Sequence, residues 1–94
     1  MSAPEKYPLI PYQYVAEMIC DKLAAGIIYQ GKDWTKEYEL KYWERERVNY
    51  PLNENVKKVI TEVLEQVSKN GIDSTLTKKN IKSLYKKYCI DQIN

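Results

Sequence analysis

The chain has 94 residues, a net charge of +2, nine tyrosines, two tryptophans, no phenylalanine and no histidine. The length suits one domain with a modest core. The absence of histidine excludes Ser–His–Asp and Cys–His nucleophilic catalysis, His-based zinc sites and the usual proton shuttle near neutral pH. Three scattered glycines (Gly26, Gly31 and Gly71) make no phosphate-cradling loop, and the charge is too small to imply nucleic acid by itself.

Residues 1–10 hold Pro4 and Pro8 and read as an extended arm. The N-terminus has no basic segment followed by an apolar one, so it does not read as a secretory signal. No apolar run is long enough to span a membrane. The expectation is therefore a cytoplasmic protein. Cys20 and Cys89 are far apart in sequence and are expected to be buried as small hydrophobes.

The first helix is expected over about residues 11–29, with Pro11 in its first turn, where no backbone N–H is needed. Val15, Ile19, Leu23 and Ile27 make one line at i, i+4 spacing, widened by Met18 and Ala25. This breadth predicts the central helix of the fold, ended by Gly31. Gln13, Glu17 and Asp21 form its one polar stripe. Two like charges one turn apart cost about 0.2–0.5 kcal/mol in a helix. Three readings are open for the stripe. It is the solvent side of the helix, it pairs with a lysine or arginine of the second helix, or it is part of a carboxylate cluster for a hard cation or acid/base work. Two carboxylates alone do not complete a metal or catalytic site.

A second helix is expected over about residues 35–48, capped by Thr35, with Glu37 and Glu39 in its first turn where the helix dipole favours acids. Tyr38 and Tyr42 make one line, and Leu40, Trp43 and the stem of Arg47 another. With Tyr29 and Trp34 these aromatics are either a partner surface or the packing between the first two helices. Tyr38, Tyr42 and Trp43, flanked by Lys41 and Arg45, are the candidate partner-binding residues, suited to a protein partner or to self-association. Pro51 disfavours helix at Tyr50 and closes the segment.

The third helix, about residues 54–69, is capped by Asn53 and carries a stripe of Val56, Val59, Ile60, Val63, Leu64 and Val67. Gly71 ends it, and Ile72 is placed to fold back on its last turn. The fourth, about residues 78–90, is capped by Thr77 and buries Ile81, Leu84, Tyr85 and Tyr88. Its outer face offers Lys78, Lys79, Lys82 and Lys86 to phosphates, but no aromatic platform or DNA-binding motif accompanies them, so nucleic acid is the weaker expectation. The fold class is all-α: a single small domain of four helices with an extended N-terminal arm. No catalytic set, no cofactor and no complete metal site is expected.

The run PYQYVAEMICDKLAAGIIYQGKDWTKEYELKYWERER, with looser agreement through LNENVKKVITEVLEQV and NIKSLYKKY, resembles a domain-of-unknown-function family of Firmicute and phage proteins. The resemblance covers nearly all of the chain but only the C-terminal half of a typical member. Longer members carry a His-rich, HD-like N-terminal half that looks like a metal-dependent phosphohydrolase site. By that resemblance Glu17 and Asp21 would face the histidines, with Asp21 the last carboxylate ligand of a site whose other half lies elsewhere. The departure is the missing histidine. The resemblance therefore implies either a non-catalytic protein-binding module, such as a phage-encoded inhibitor of a bacterial defence system, or a hydrolase half that is inactive without its His-rich counterpart.

Overall fold

The computed structural model describes residues 7–91, and among them there is no strand. Helix α1 runs Tyr12–Gln30, α2 Tyr38–Glu46, α3 Glu54–Asn70, α4 Ile72–Thr75 and α5 Lys78–Tyr85, which continues through a π turn, Lys86–Ile90. Short 3₁₀ turns follow α1 (Gly31–Asp33) and α2 (Arg47–Asn49). The all-α domain is as expected. Residues 8–10 of the arm lie outside any helix, and the rest of the arm falls mostly outside the described residues.

The central helix is α3, which corrects the expectation for α1. Along α3, Val56, Val59, Ile60, Val63, Leu64 and Val67 are all buried, and α2, α4, α5 and the π turn pack around it. On α1 only Val15, Ile19, Leu23 and Gly26 are buried. Ile27, Ile28 and Tyr29 are exposed because the last turns of α1 carry apolar residues on every side while neighbours cover only one. A broad apolar circumference therefore did not make a central helix. A sharp stripe with charges opposite did, because a helix can be enclosed on its apolar side while its polar side stays wet.

Caps fix the ends. The Asn53 side chain accepts from the Asn55 and Val56 N–H groups, and Thr77 accepts from the Asn80 N–H, both as expected. Gly31 and Gly71 take positive φ, 52° and 88°, where a side chain would strain the backbone. Thr35 does not cap α2. Its carbonyl accepts from the Tyr38 N–H in a turn, so the helix starts three residues later than expected, with Glu37 at the cap. The short helix α4 joins α3 to α5, and its first residue, Ile72, is half-buried. Cys89 is buried as expected but Cys20 is exposed on the outer side of α1, which corrects the expectation for that thiol.

Hydrogen bonds between residues far apart in sequence tie the last helix to α3 and to the arm. Tyr88 donates to Glu62 at 2.5 Å, Asn80 to Gln66 at 2.6 Å, and Tyr85 to the Ile10 carbonyl at 2.7 Å. None of the helices is long and apolar enough to cross a membrane, among the described residues.

Candidate functional site

The second helix is nine residues long and turns two of them inward, Glu39 and Trp43. They are four apart, so they share one face. Trp43 is 1% exposed and sits in the core. Its indole N–H donates to Thr61 Oγ1 at 2.9 Å, and the same oxygen accepts from Arg47 at 3.2 Å and donates to the Lys57 carbonyl at 2.8 Å. Its ring meets Tyr50 edge-on at 5.4 Å. Every polar need of Trp43 is met. This removes it from the partner-binding group: its ring is the aromatic body that α3 needs opposite it, and a surface partner cannot reach it.

Glu39 is only 6% exposed, and no hydrogen bond reaches its Oε1 among the described residues. The carboxylate rests on Gly26 of α1. A Cβ at that glycine would stand 1.6 Å from Oε1, so glycine there is what lets the carboxylate lie in this position. Trp34, half-buried after the 3₁₀ turn, brings its indole N–H to the same spot, where it favours the carboxylate as a donor does although it falls short of a strict hydrogen bond among the described residues. Burial therefore pushes the Glu39 carboxyl above its usual range, partly offset by the Lys22 charge and the nearby indole, while Glu46 pushes it further up.

Lys22 of α1 is engaged elsewhere. Its ammonium lies 2.6 Å from Glu46 of α2 and over the rings of Trp43 and Tyr50 at 4.8 and 4.6 Å. The ion pair between the first two helices thus runs opposite to one sequence reading. A lysine of α1 holds a carboxylate of α2, and Glu17 and Asp21 take part in none of the ion pairs among the described residues.

Above Glu39 the two helices diverge into a groove of about 510 Å³, lined by Lys22, Ala25, Gly26, Tyr29 and Gln30 from α1 and by Tyr38, Glu39, Tyr42 and Glu46 from α2. The AAG segment is why it exists: Ala25 and Gly26 leave the volume that larger residues would fill. Tyr38 and Tyr42 stack along one wall, centroids 6.3 Å apart and planes at 25°. Gln30 fixes the Tyr38 hydroxyl by donating to it at 3.1 Å. Tyr29 stands at the rim, 85% exposed, with Ile28 beside it at 78%.

Of the residues singled out in the sequence, Tyr38 is half-buried and Tyr42 exposed on this wall, while Lys41 and Arg45 are exposed on α2 outside the groove's lining. Glu17 and Asp21 are exposed as well. Neither lines the groove, although Asp21 stands one turn before Ala25, which does. Among the described residues, no three cysteine, aspartate or glutamate side chains gather as a metal ion would require. Lys78, Lys79, Lys82 and Lys86 are exposed along α5, and Lys82 lies 5.1 Å over the Tyr12 ring. Glu39 is the residue that sequence reasoning missed. Its signal was its spacing of four from Trp43, the largest apolar residue of a short helix. No protein-family model, curated protein or solved structure matches the chain.

Proposed function

We propose that the chain is a non-catalytic helical module that binds another protein through the groove between α1 and α2 and the exposed end of α1. The observation that carries this reading is the shared placement of Tyr29 and Tyr42. Both line one groove while being 85% and 54% exposed, with Ile27 and Ile28 uncovered next to them. Tyrosines and clustered aliphatics left open to water at one end of a small domain are the composition of a binding surface. Lys41 and Arg45 are exposed on the same helix as Tyr42, outside the groove's lining. The finer reading, a phage-encoded inhibitor of a bacterial defence system working in the host cytoplasm, rests on the sequence resemblance to Firmicute and phage proteins.

The exposure of Glu17 and Asp21 favours a second reading, the half of an HD-like hydrolase. Two unpaired carboxylates one turn apart are open to a His-rich chain docking on the outer side of α1. Co-expression with such a chain would separate the two readings: stoichiometric metal that is lost on Asp21→Asn supports the hydrolase half.

The test of the leading reading places a photo-crosslinking residue at position 42 and, as control, at position 79 on α5, in a bacterial lysate. Crosslinks to one protein at position 42 alone, abolished by Tyr29→Ala with the melt unchanged, are expected. Equal capture from both positions, or capture indifferent to Tyr29, would overturn the assignment.

A further inference from the structure

The floor of the groove holds a carboxylate that the fold compensates only in part. Glu39 is buried, and no strict hydrogen bond reaches its Oε1 among the described residues. The adjacent Trp34 indole and the Lys22 charge only partly offset its burial, and Lys22 is already bound to Glu46 at 2.6 Å. With two carboxylates and one ammonium, the lining carries a net negative charge, and no lysine or arginine besides Lys22 contributes to it. Burying a partly compensated carboxylate is costly, and a packed apolar residue at position 39 would avoid that cost. The fold instead makes room for it, with Gly26 beneath the carboxylate where any Cβ would collide. Above it stand aromatic faces, the stacked pair Tyr38 and Tyr42 and, across the opening, Tyr29. Tyrosine faces attract cations, and a buried carboxylate below them adds the countercharge.

Resting on the reading that this face binds a protein, we propose that the groove receives one arginine side chain of the partner, its guanidinium set against Glu39 and between the tyrosine rings. Arginine fits better than lysine on three grounds. Its head is flat enough to lie along a ring, it is weakly hydrated and so enters a half-buried groove at less cost, and its parallel N–H groups match a carboxylate. The occupant brings the positive charge that the lining lacks. Lys22 remains on Glu46, and Gln30 keeps the Tyr38 ring in place.

The probe is N-acetyl-arginine methylamide, titrated into the full chain and followed by NMR at the Glu39 carboxyl carbon and the Tyr38 and Tyr42 rings. Citrulline and lysine analogues of the same peptide run in parallel. Saturable shifts at these three residues with arginine, a weaker response with lysine and none with neutral citrulline are expected. Glu39→Gln keeps the fold and loses roughly tenfold or more of the affinity, as removal of a half-buried countercharge should. Equal responses to arginine and citrulline, no saturable response, or an unchanged affinity in Glu39→Gln would overturn the assignment. The crosslinked partner distinguishes the two levels of failure. Capture retained at position 42 in Glu39→Gln leaves a binding face without an arginine anchor, whereas capture unaffected by Tyr29→Ala removes the binding face itself.

Discussion

Glu39 and Trp43 lie one turn apart on the same face of the same helix, both buried, and they have opposite fates. Trp43 meets α3, and its one polar atom is paired with Thr61 at 2.9 Å. Glu39 meets α1, and its Oε1 has no strict hydrogen-bond partner among the described residues. The contrast extends to the surroundings. Trp43 belongs to the core cluster with the branched side chains of α3, whereas Glu39 lies beside two small residues of α1 that line a groove. A side chain packed and satisfied serves the fold, and one buried at a cost beside an open groove is available to a ligand.

The largest expected effect breaks the satisfied side. Trp43→Ala removes the biggest fully buried ring and leaves a cavity against α3. It should cost about 3–5 kcal/mol, which approaches the whole stability of many small domains. Urea unfolding measures it, and a loss below 1 kcal/mol would mean that α2 does not dock on α3 through this ring.

The same test on the other side should have the opposite sign. Glu39→Gln keeps the shape and removes the unpaired charge, so at neutral pH it should stabilise by about 1 kcal/mol, a rise in Tm of about 4–8 °C. The sign with pH follows from linkage. The folded-state pKa of Glu39 is raised above its ordinary 4.5, so the folded protein holds this proton more tightly than the unfolded chain. The associated stability is present in full below 4.5 and is lost as pH rises through the raised value. The Glu39→Gln advantage should therefore shrink on acidification. Lys22, Glu46 and Tyr38 also face this groove, so the comparison is made variant against parent at each pH. A Glu39→Gln protein less stable than the parent at pH 7 would mean that the carboxylate is paired after all.

Gly26 sharpens the comparison by testing what makes room for the charge. Alanine in mid-helix gains about 0.8–1.0 kcal/mol over glycine when nothing interferes. Here the added methyl would stand 1.6 Å from Glu39 Oε1, so the carboxylate must swing out. In a Glu39→Ala background, where only the Trp34 indole at 3.3 Å stays close, Gly26→Ala should yield most of the helix gain. In the parent it should yield less, and the difference is the coupling between the two positions. Identical gains in both backgrounds would show that the two do not touch.

How much of this was legible in the sequence depended on how local the deciding interaction is. The third helix could be read whole because its stripe, its Asn53 cap and its Gly71 stop are all written within it. The position of Trp43 was ambiguous, since an aromatic on a charged helix suits a core or an interface equally, and only the neighbouring α3 decides. Glu39 could not be read because an acid in a first turn satisfies the helix dipole on its own. Its burial depends on Gly26, thirteen positions away on another helix. The central place of α3 was missed for a related reason. Counting apolar residues around α1 measures what could be buried, whereas what is buried depends on how far the neighbours extend.

The smallest expected effect lies on the outer side of α1, at the two carboxylates that stand out most in the sequence. Both Glu17 and Asp21 are exposed and one turn apart, so their mutual repulsion is screened by water and amounts to about 0.2–0.5 kcal/mol. Asp21→Asn should therefore stabilise slightly or leave the melt unchanged, with a shift below about 3 °C. The same variant in high salt should show less still, because screening removes the repulsion it relieves. A loss of about 1 kcal/mol or more could not come from a solvated side chain. It would mean that something covers this side of α1 in solution. Melts at two protein concentrations would then identify a second copy of the chain if Tm rises with concentration, and a ligand retained through purification if it does not.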